Sequence, residues 1–166
     1  MRKLYLLLPI LFLIYWGCEE EDTTPTEVTL WGEVYSIENT TELDLSGYDL
    51  TGSIPPEIGN LTNLTNLTLY NNQLTGSIPP EIWNLTNLVT LYLSDNELTG
   101  SIPPEIGQLT NLFSFGLSNN QLSGIIPEEI CNIGDTTPSL SNNQFCPPYP
   151  SCIEDYVGEQ DTTNCN

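Results

Sequence analysis

The sequence contains no histidine, and its only cations are Arg2 and Lys3, set against 22 Asp and Glu residues in 166. Without His, hydrolytic triads have no base, and without an internal Lys the Lys-based covalent schemes fail as well. The same shortage leaves nothing to neutralise phosphate, which excludes nucleic acid as a partner. Nor can such a chain hold electrostatically to anionic lipid. If Arg2 and Lys3 leave with a leader, no side-chain salt bridge can form anywhere in the mature chain. So large an acid excess marks a strongly hydrated surface. A calcium loop of the DxDxDG kind is absent, the acids are mostly scattered singly, and no Gly-rich phosphate loop occurs. Neither cofactor nor metal is expected. Paired carboxylates remain as the one catalytic option, through glycoside hydrolysis. The candidates are Asp95 with Glu97 and the column Glu57, Glu81, Glu105, Glu129. The simpler reading of the column is a repeat echo, one acid at the start of each turn, where it can meet free N–H groups.

What is present in quantity is a repeat. LTNLTNLTLYNNQLTGSIPPEIWN (Leu61–Asn84) returns as LTNLVTLYLSDNELTGSIPPEIGQ (Leu85–Gln108) and again as LTNLFSFGLSNNQLSGIIPEEICN (Leu109–Asn132). An unslipped 24-residue period signals stacked units rather than a conventional core. A partial copy fills Thr40–Asn60 and a degenerate one begins at Ile133. Within a turn, the Leu67/Leu69 alternation predicts a short strand with one face buried. Leucines of successive turns then stack into one core. Asn72 recurs as Asn96, Asn120 and Asn143, where the chain bends off the strand, and an inward amide there can donate and accept in a ladder. Gly-Ser-Ile-Pro-Pro (Gly76–Pro80, Gly100–Pro104) favours extended and turn backbone, so no long helix is expected on the far side. Ile78, Ile82, Ile102, Ile106, Ile126 and Ile130 would close the core there.

This pattern resembles the leucine-rich repeat family, specifically the 24-residue plant-type class LxxLxLxxNxLxGxIPxxIxxL, over roughly 40–145. The resemblance implies a right-handed, gently twisted solenoid, with a parallel sheet on the concave face and 3₁₀ or irregular turns on the convex face. It also implies recognition of protein or glycan outside the cell. The departures are Tyr48, standing where the ladder Asn is expected, and Pro138, standing where Leu is. Terminal turns are usually atypical because they cap the core.

The ends divide the chain further. Residues 1–17 read as an export signal: Arg2 and Lys3 precede the apolar run Leu4–Trp16, too short to span a bilayer comfortably and carrying Pro9. Gly17-Cys18 followed by three Glu and an Asp looks like a bacterial lipoprotein cleavage box, with Cys18 as the lipid-bearing first residue. Tyr15 and Trp16 depart from that box, and an ordinary secretory signal is the alternative. The chain is thus expected at the cell surface or outer membrane as a lipoprotein, otherwise secreted, touching membrane only through Cys18. Residues 18–26 read as an acidic tether and 27–39 as an N-terminal cap, in which Leu30, Trp31, Val34, Tyr35 and Ile37 cover the first turn. Repeats occupy 40–132, and 133–166 hold the degenerate repeat and a disulfide-stapled cap. Setting Cys18 aside leaves Cys131, Cys146, Cys152 and Cys165 for two disulfides, with three connectivities possible. Cys152 falls one coil after residue 128, near Cys131, which favours Cys131–Cys152 with Cys146–Cys165. Zinc is the rival use, disfavoured because no CxxC pair and no His is present.

Period-two alternation assigns the outward face of the strands. The candidate binding residues there are Asn66, Thr68, Tyr70, Thr90, Tyr92, Ser94, Ser114 and Ser118, with Glu42 and Asp44 at the N-terminal end. Tyr70 and Tyr92 are either anchors or plain strand formers, and Gly116 leaves space beside Tyr92. Trp83, replacing Gly59 and Gly107 in the repeat frame, either packs on the neighbouring prolines or marks a second contact surface. Asn-x-Thr sequons at Asn60, Asn63, Asn66 and Asn84 follow from the NLTNL spacer and matter only if a eukaryotic host glycosylates them. The expected function is a non-enzymatic recognition or adhesion module acting on protein or glycan. A carbohydrate-processing or calcium-dependent surface protein is the alternative.

Overall fold

The computed structural model describes residues 25–135 and 137–165; the leader and Cys18 lie outside them. In chain order come β1 (Glu27–Leu30), β2 (Glu33–Ser36), β3 (Glu42–Asp44), β4 (Thr51–Ser53), η1 (Pro56–Asn60), β5 (Asn66–Thr68), β6 (Gln73–Ser77), η2 (Pro80–Asn84) and β7 (Thr90–Tyr92). They are followed by β8 (Glu97–Gly100), η3 (Pro104–Gln108), β9 (Ser114–Gly116), β10 (Gln121–Ile125), η4 (Glu128–Asn132), β11 (Gln144–Cys146) and η5 (Glu154–Tyr156), where η denotes a 3₁₀ turn. Each repeat thus contributes two strands and one turn.

The concave sheet has the order β3-β5-β7-β9, all parallel, with Leu43, Leu67, Leu91 and Phe115 side by side in register. A 24-residue period and an unslipped register are the same fact seen twice. Below this sheet Leu67, Leu69, Leu91, Leu93 and Leu117 are fully buried, met from the far side by Ile58, Ile82, Ile106 and Ile130. Burying each such side chain stabilises the stack by about 1.5–3 kcal/mol. The 3₁₀ turns begin at Pro56, Pro80 and Pro104, where a missing N–H costs nothing.

The side chains of Asn72, Asn96, Asn120 and Asn143 each bond their own turn to the preceding one. Asn96 Oδ1 accepts from Leu74 N at 3.0 Å while its Nδ2 donates to Leu69 O at 2.9 Å and Leu93 O at 3.1 Å. Asn72, Asn120 and Asn143 repeat this pattern one turn on either side. A sixth-turn rung comes from Gln160, whose Oε1 accepts from Phe145 N at 3.2 Å and whose Nε2 donates to Leu140 O and Val157 O at 2.9 Å. The longer amide reaches from a loop that has left the repeat frame.

Several expectations are corrected. The Gly-Ser-Ile-Pro-Pro stretch is extended and then turns, as read, but a second parallel sheet of order β11-β10-β8-β6-β4, formed by the residues leading into it, was not foreseen. Its glycines Gly52, Gly76, Gly100 and Gly124 all sit at positive φ, between 76° and 87°, which lets each strand turn away before the prolines. Tyr48 does not enter the ladder position but stands 66% exposed. Val34 is exposed rather than a cover for the first turn; Val28 and Leu30 are the buried residues of the β1–β2 hairpin, with Trp31, Tyr35 and Ile37 packed beside them. Trp83 is 1% exposed and belongs to the core, so it offers no second contact surface. At Gly59 and Gly107 a Cβ would lie 2.5 and 2.9 Å from the Cβ of Glu81 and Glu129 in the next turn. Between η2 and η3 the approach is less close than between η1 and η2 or η3 and η4, and η2 is the turn that carries Trp83 in place of the glycine. Finally, the turn N–H groups of Ile58, Ile82, Ile106 and Ile130 donate to the Pro55, Pro79, Pro103 and Pro127 carbonyls rather than to the Glu57, Glu81, Glu105 and Glu129 carboxylates.

Candidate functional site

The outward face of the concave sheet is a floor of short polar side chains, bounded along each rim by a different chemistry. On the floor, Asn66, Thr68, Thr90, Tyr92, Ser94, Ser114 and Ser118 are half-buried, each next in sequence to a buried core residue. Their groups bind one another: the Tyr92 hydroxyl bonds Ser114 Oγ, and Ser118 Oγ donates to Ser94 Oγ at 3.1 Å. A Cβ at Gly116 would stand 2.8 Å from Tyr92 Cδ1, so the glycine is what lets the Tyr92 ring lie down along the sheet. Tyr70, by contrast, stands 46% exposed. The two tyrosines expected as a pair therefore differ, one recumbent and held, one projecting.

At the N-terminal end, the groups that act on the Asp44 carboxylate are, in order of effect, the Ser46 hydroxyl, the Ser46 N–H and the Thr68 hydroxyl. Together they hold Asp44 below the usual carboxylate range. Of these contacts the Ser46 N–H, at 3.0 Å, has full hydrogen-bond geometry. Glu42 and Asp44 are both exposed.

Along the rim where the strands end, Asn71, Asp95, Asn119 and Asn142 each adopt φ between 55° and 58°. Asn and Asp tolerate that left-handed backbone better than other side-chain-bearing residues. Asn142 Nδ2 donates to Asn119 Oδ1 at 2.6 Å and Asn119 Nδ2 to Asp95 Oδ1 at 2.8 Å, which makes a second amide row on the surface. Along the opposite rim, just before the strands, Thr41 and Thr65 give way to Val89 and Phe113, which are 39% and 66% exposed. Neither rim was singled out from sequence. The doublet Asn-Asn or Asp-Asn that ends on each ladder position, and the drift from Thr to Val to Phe, are the signals that mark them. Among the described residues no group of three or more Cys, Asp or Glu side chains is placed to hold a metal ion.

The C-terminal cysteines close as Cys131–Cys152 and Cys146–Cys165, with Cα separations of 5.8 and 5.5 Å. They tie the segment carrying Gln160 over the last turn.

A two-copy "Leucine Rich repeats" profile matches residues 62–104, and a single-copy "Leucine Rich Repeat" profile matches 39–61 and 111–133. The chain belongs to the leucine-rich repeat family. Among solved structures, the leucine-rich repeat ectodomain of the receptor kinase SOBIR1 from Arabidopsis thaliana is 32% identical with TM-score 0.67, over 78% of this chain and 73% of that one. The Arabidopsis receptor kinase HAESA, solved with the peptide hormone IDA and the co-receptor SERK1, is 33% identical with TM-score 0.65, over 74% of this chain and 21% of that one. A plant ice-binding protein is 35% identical with TM-score 0.63, over 71% of this chain and 39% of that one. The first solved chains it matches are much longer, and it spans only 13%, 19% and 39% of them. No curated protein sequence matches significantly.

Proposed function

We propose that this chain is a non-enzymatic recognition module of the cell exterior, exported by residues 1–17 and held by a lipid on Cys18, that binds a polypeptide or glycan along the concave sheet. One observation carries the reading: a floor of mutually bonded hydroxyls with Tyr70 projecting from it. Half-buried hydroxyls and amides supply hydrogen bonds at little entropic cost, and a standing tyrosine supplies an anchoring ring. HAESA, solved with a peptide hormone, supports a polypeptide partner. A photo-cross-linking residue at Ser94, on intact producing cells, is expected to trap a partner whose capture is lost with Tyr70→Ala. The same residue at Thr99, on the second sheet, is expected to trap none; the reverse pattern would move the function to that sheet. Cys18→Ser should release the protein from the membrane fraction, and unchanged membrane association would defeat the anchor.

The second sheet favours another reading. Thr51, Ser53, Thr75, Ser77, Thr99 and Ser101 are all exposed, with Thr75 opposite Ser53 and Thr99 opposite Ser77 in the parallel register. Parallel strands repeat these hydroxyls at about 4.8 Å. A repeating hydroxyl array is suited to ordering lattice water, although exposed Glu97 stands opposite Thr75 in the same row, and the resemblance to a plant ice-binding protein points the same way. Thermal hysteresis or ice-recrystallisation inhibition by the wild type, abolished by Thr75→Lys with Thr99→Lys, is the expected result under this reading. An inert wild type removes it.

A further inference from the structure

Exposing a phenyl ring to water gives up the stabilisation that burial would supply, so an exposed Phe inside a regular repeat needs an occupant or a reason. Phe113 is 66% exposed, and it sits beside Val89, whose carbonyl accepts its N–H at 2.9 Å. Both replace threonines of earlier turns, Thr41 and Thr65. The ring backs onto Gly134, where an added Cβ would lie 3.0 Å from Cδ1 and Cε1, so one edge of it is seated and the rest meets solvent. The next residue is Asp135. Its Oδ2 accepts from Phe115 N and its Oδ1 from Thr137 N, both at 2.8 Å, which fixes the carboxylate against the strand that follows Phe113, one residue on from the glycine the ring touches. No Lys, Arg or His occurs between residues 25 and 165, so no cation among them competes for that charge.

We propose that Phe113, Val89 and Asp135 form a subsite for a basic side chain, Arg or Lys, of the polypeptide bound on the concave sheet. The inference rests on the concave reading and names the partner's chemistry. A basic side chain suits all three groups at once: its aliphatic stem covers Val89, its cationic head lies over the phenyl face, and the head pairs with the carboxylate. The 22 acidic residues of the whole chain add long-range attraction for a basic partner. A second copy of the described chain brings no cation and cannot fill the subsite.

The test is a chemical-shift titration of the ¹⁵N-labelled protein at about 0.15 M salt, where surface charges further apart than the Debye length are screened. The probe is N-acetyl-arginine amide, with N-acetyl-glutamine amide as neutral control. Saturable shifts are expected at Phe113, Gly134 and Asp135 with the arginine probe alone. Phe113→Thr, which restores the residue of earlier turns, is expected to weaken that binding about two- to fivefold, the span of an exposed cation–π contact. Asp135→Asn, which keeps an acceptor for Phe115 N–H, should weaken it as well. Ile125→Thr, removing a residue 62% exposed on the other sheet, should not. Shifts spread evenly over the carboxylates, or indifferent to Phe113→Thr, would overturn the subsite. Partner binding lost with Tyr70→Ala but untouched by Phe113→Thr would also remove the subsite, while leaving the concave reading in place; indifference to Tyr70→Ala would remove that reading instead.

Discussion

A buried amide bonded to two neighbouring turns is a small residue with a large share of the architecture. Asn120 accepts from Leu98 N and donates to Leu93 O and Leu117 O, all buried. Asn120→Ala would strand those groups at a cost of about 1–3 kcal/mol. Leu91→Ala, with turns on both sides, should cost about 2–5 kcal/mol through lost burial and a cavity. Thr90→Ala, pointing outward, should cost under about 0.5 kcal/mol. Denaturant unfolding ranks the three, and Thr90→Ala as the worst would mean the inward and outward faces are exchanged. Acid titration probes the floor separately. Asp44 sits below the usual range when folded, so its contribution is present above the unfolded value of about 3.9 and is lost as pH falls through the lower folded value. The Ser46 amide resonance should therefore titrate with a midpoint below 3.9; a midpoint at or above it would show that the carboxylate is not held. The ladder positions and core leucines were legible because each recurs at one spacing. Gln160 was not, since a single amide in an irregular loop carries no period.

At the level of elements, the solenoid's difficulty is its two open ends. The N-terminal end is covered by the β1–β2 hairpin, whose turn places Trp31 at φ 47° and Gly32 at φ 89°. Two positive φ values suit a tight two-residue turn, usually Asn-Gly. A Trp in that place gave no turn signal in the sequence, and its seat against the core is what the structure adds. At the other end, too little regular repeat remains to stack on, and the cap is cross-linked over loops of 21 and 19 residues. Chain entropy assigns about 3 kcal/mol to closing a loop of that order. The Cys146→Ser, Cys165→Ser double variant should lose about that much. Amide exchange should rise first at Phe145 and Asn142, whose N–H groups donate to Gln160 Oε1 and Glu159 O and then lose those acceptors. Exchange rising first in β3 would place the weak end elsewhere. The second sheet was illegible for a related reason: a glycine at positive φ interrupts the alternation by which strands are read.

Across the whole molecule, like charges dominate. Folding draws carboxylates together and no cation among the described residues offsets them, so added salt should stabilise by screening. The melting temperature should rise between low salt and about 0.5 M sodium chloride, where the Debye length is several ångströms. A saturable rise at millimolar calcium, not reproduced at matched ionic strength, would instead reveal a specific ion site. The central claim, that recognition occupies the concave sheet, is tested most directly by the dissociation constant of the native partner across matched surface variants. Tyr70→Ala and Tyr92→Ala are expected to weaken binding by about 1–3 kcal/mol without comparable loss of stability, whereas Thr99→Ala on the second sheet leaves it unchanged. Binding weakened by Thr99→Ala and untouched by both tyrosine variants would contradict the account.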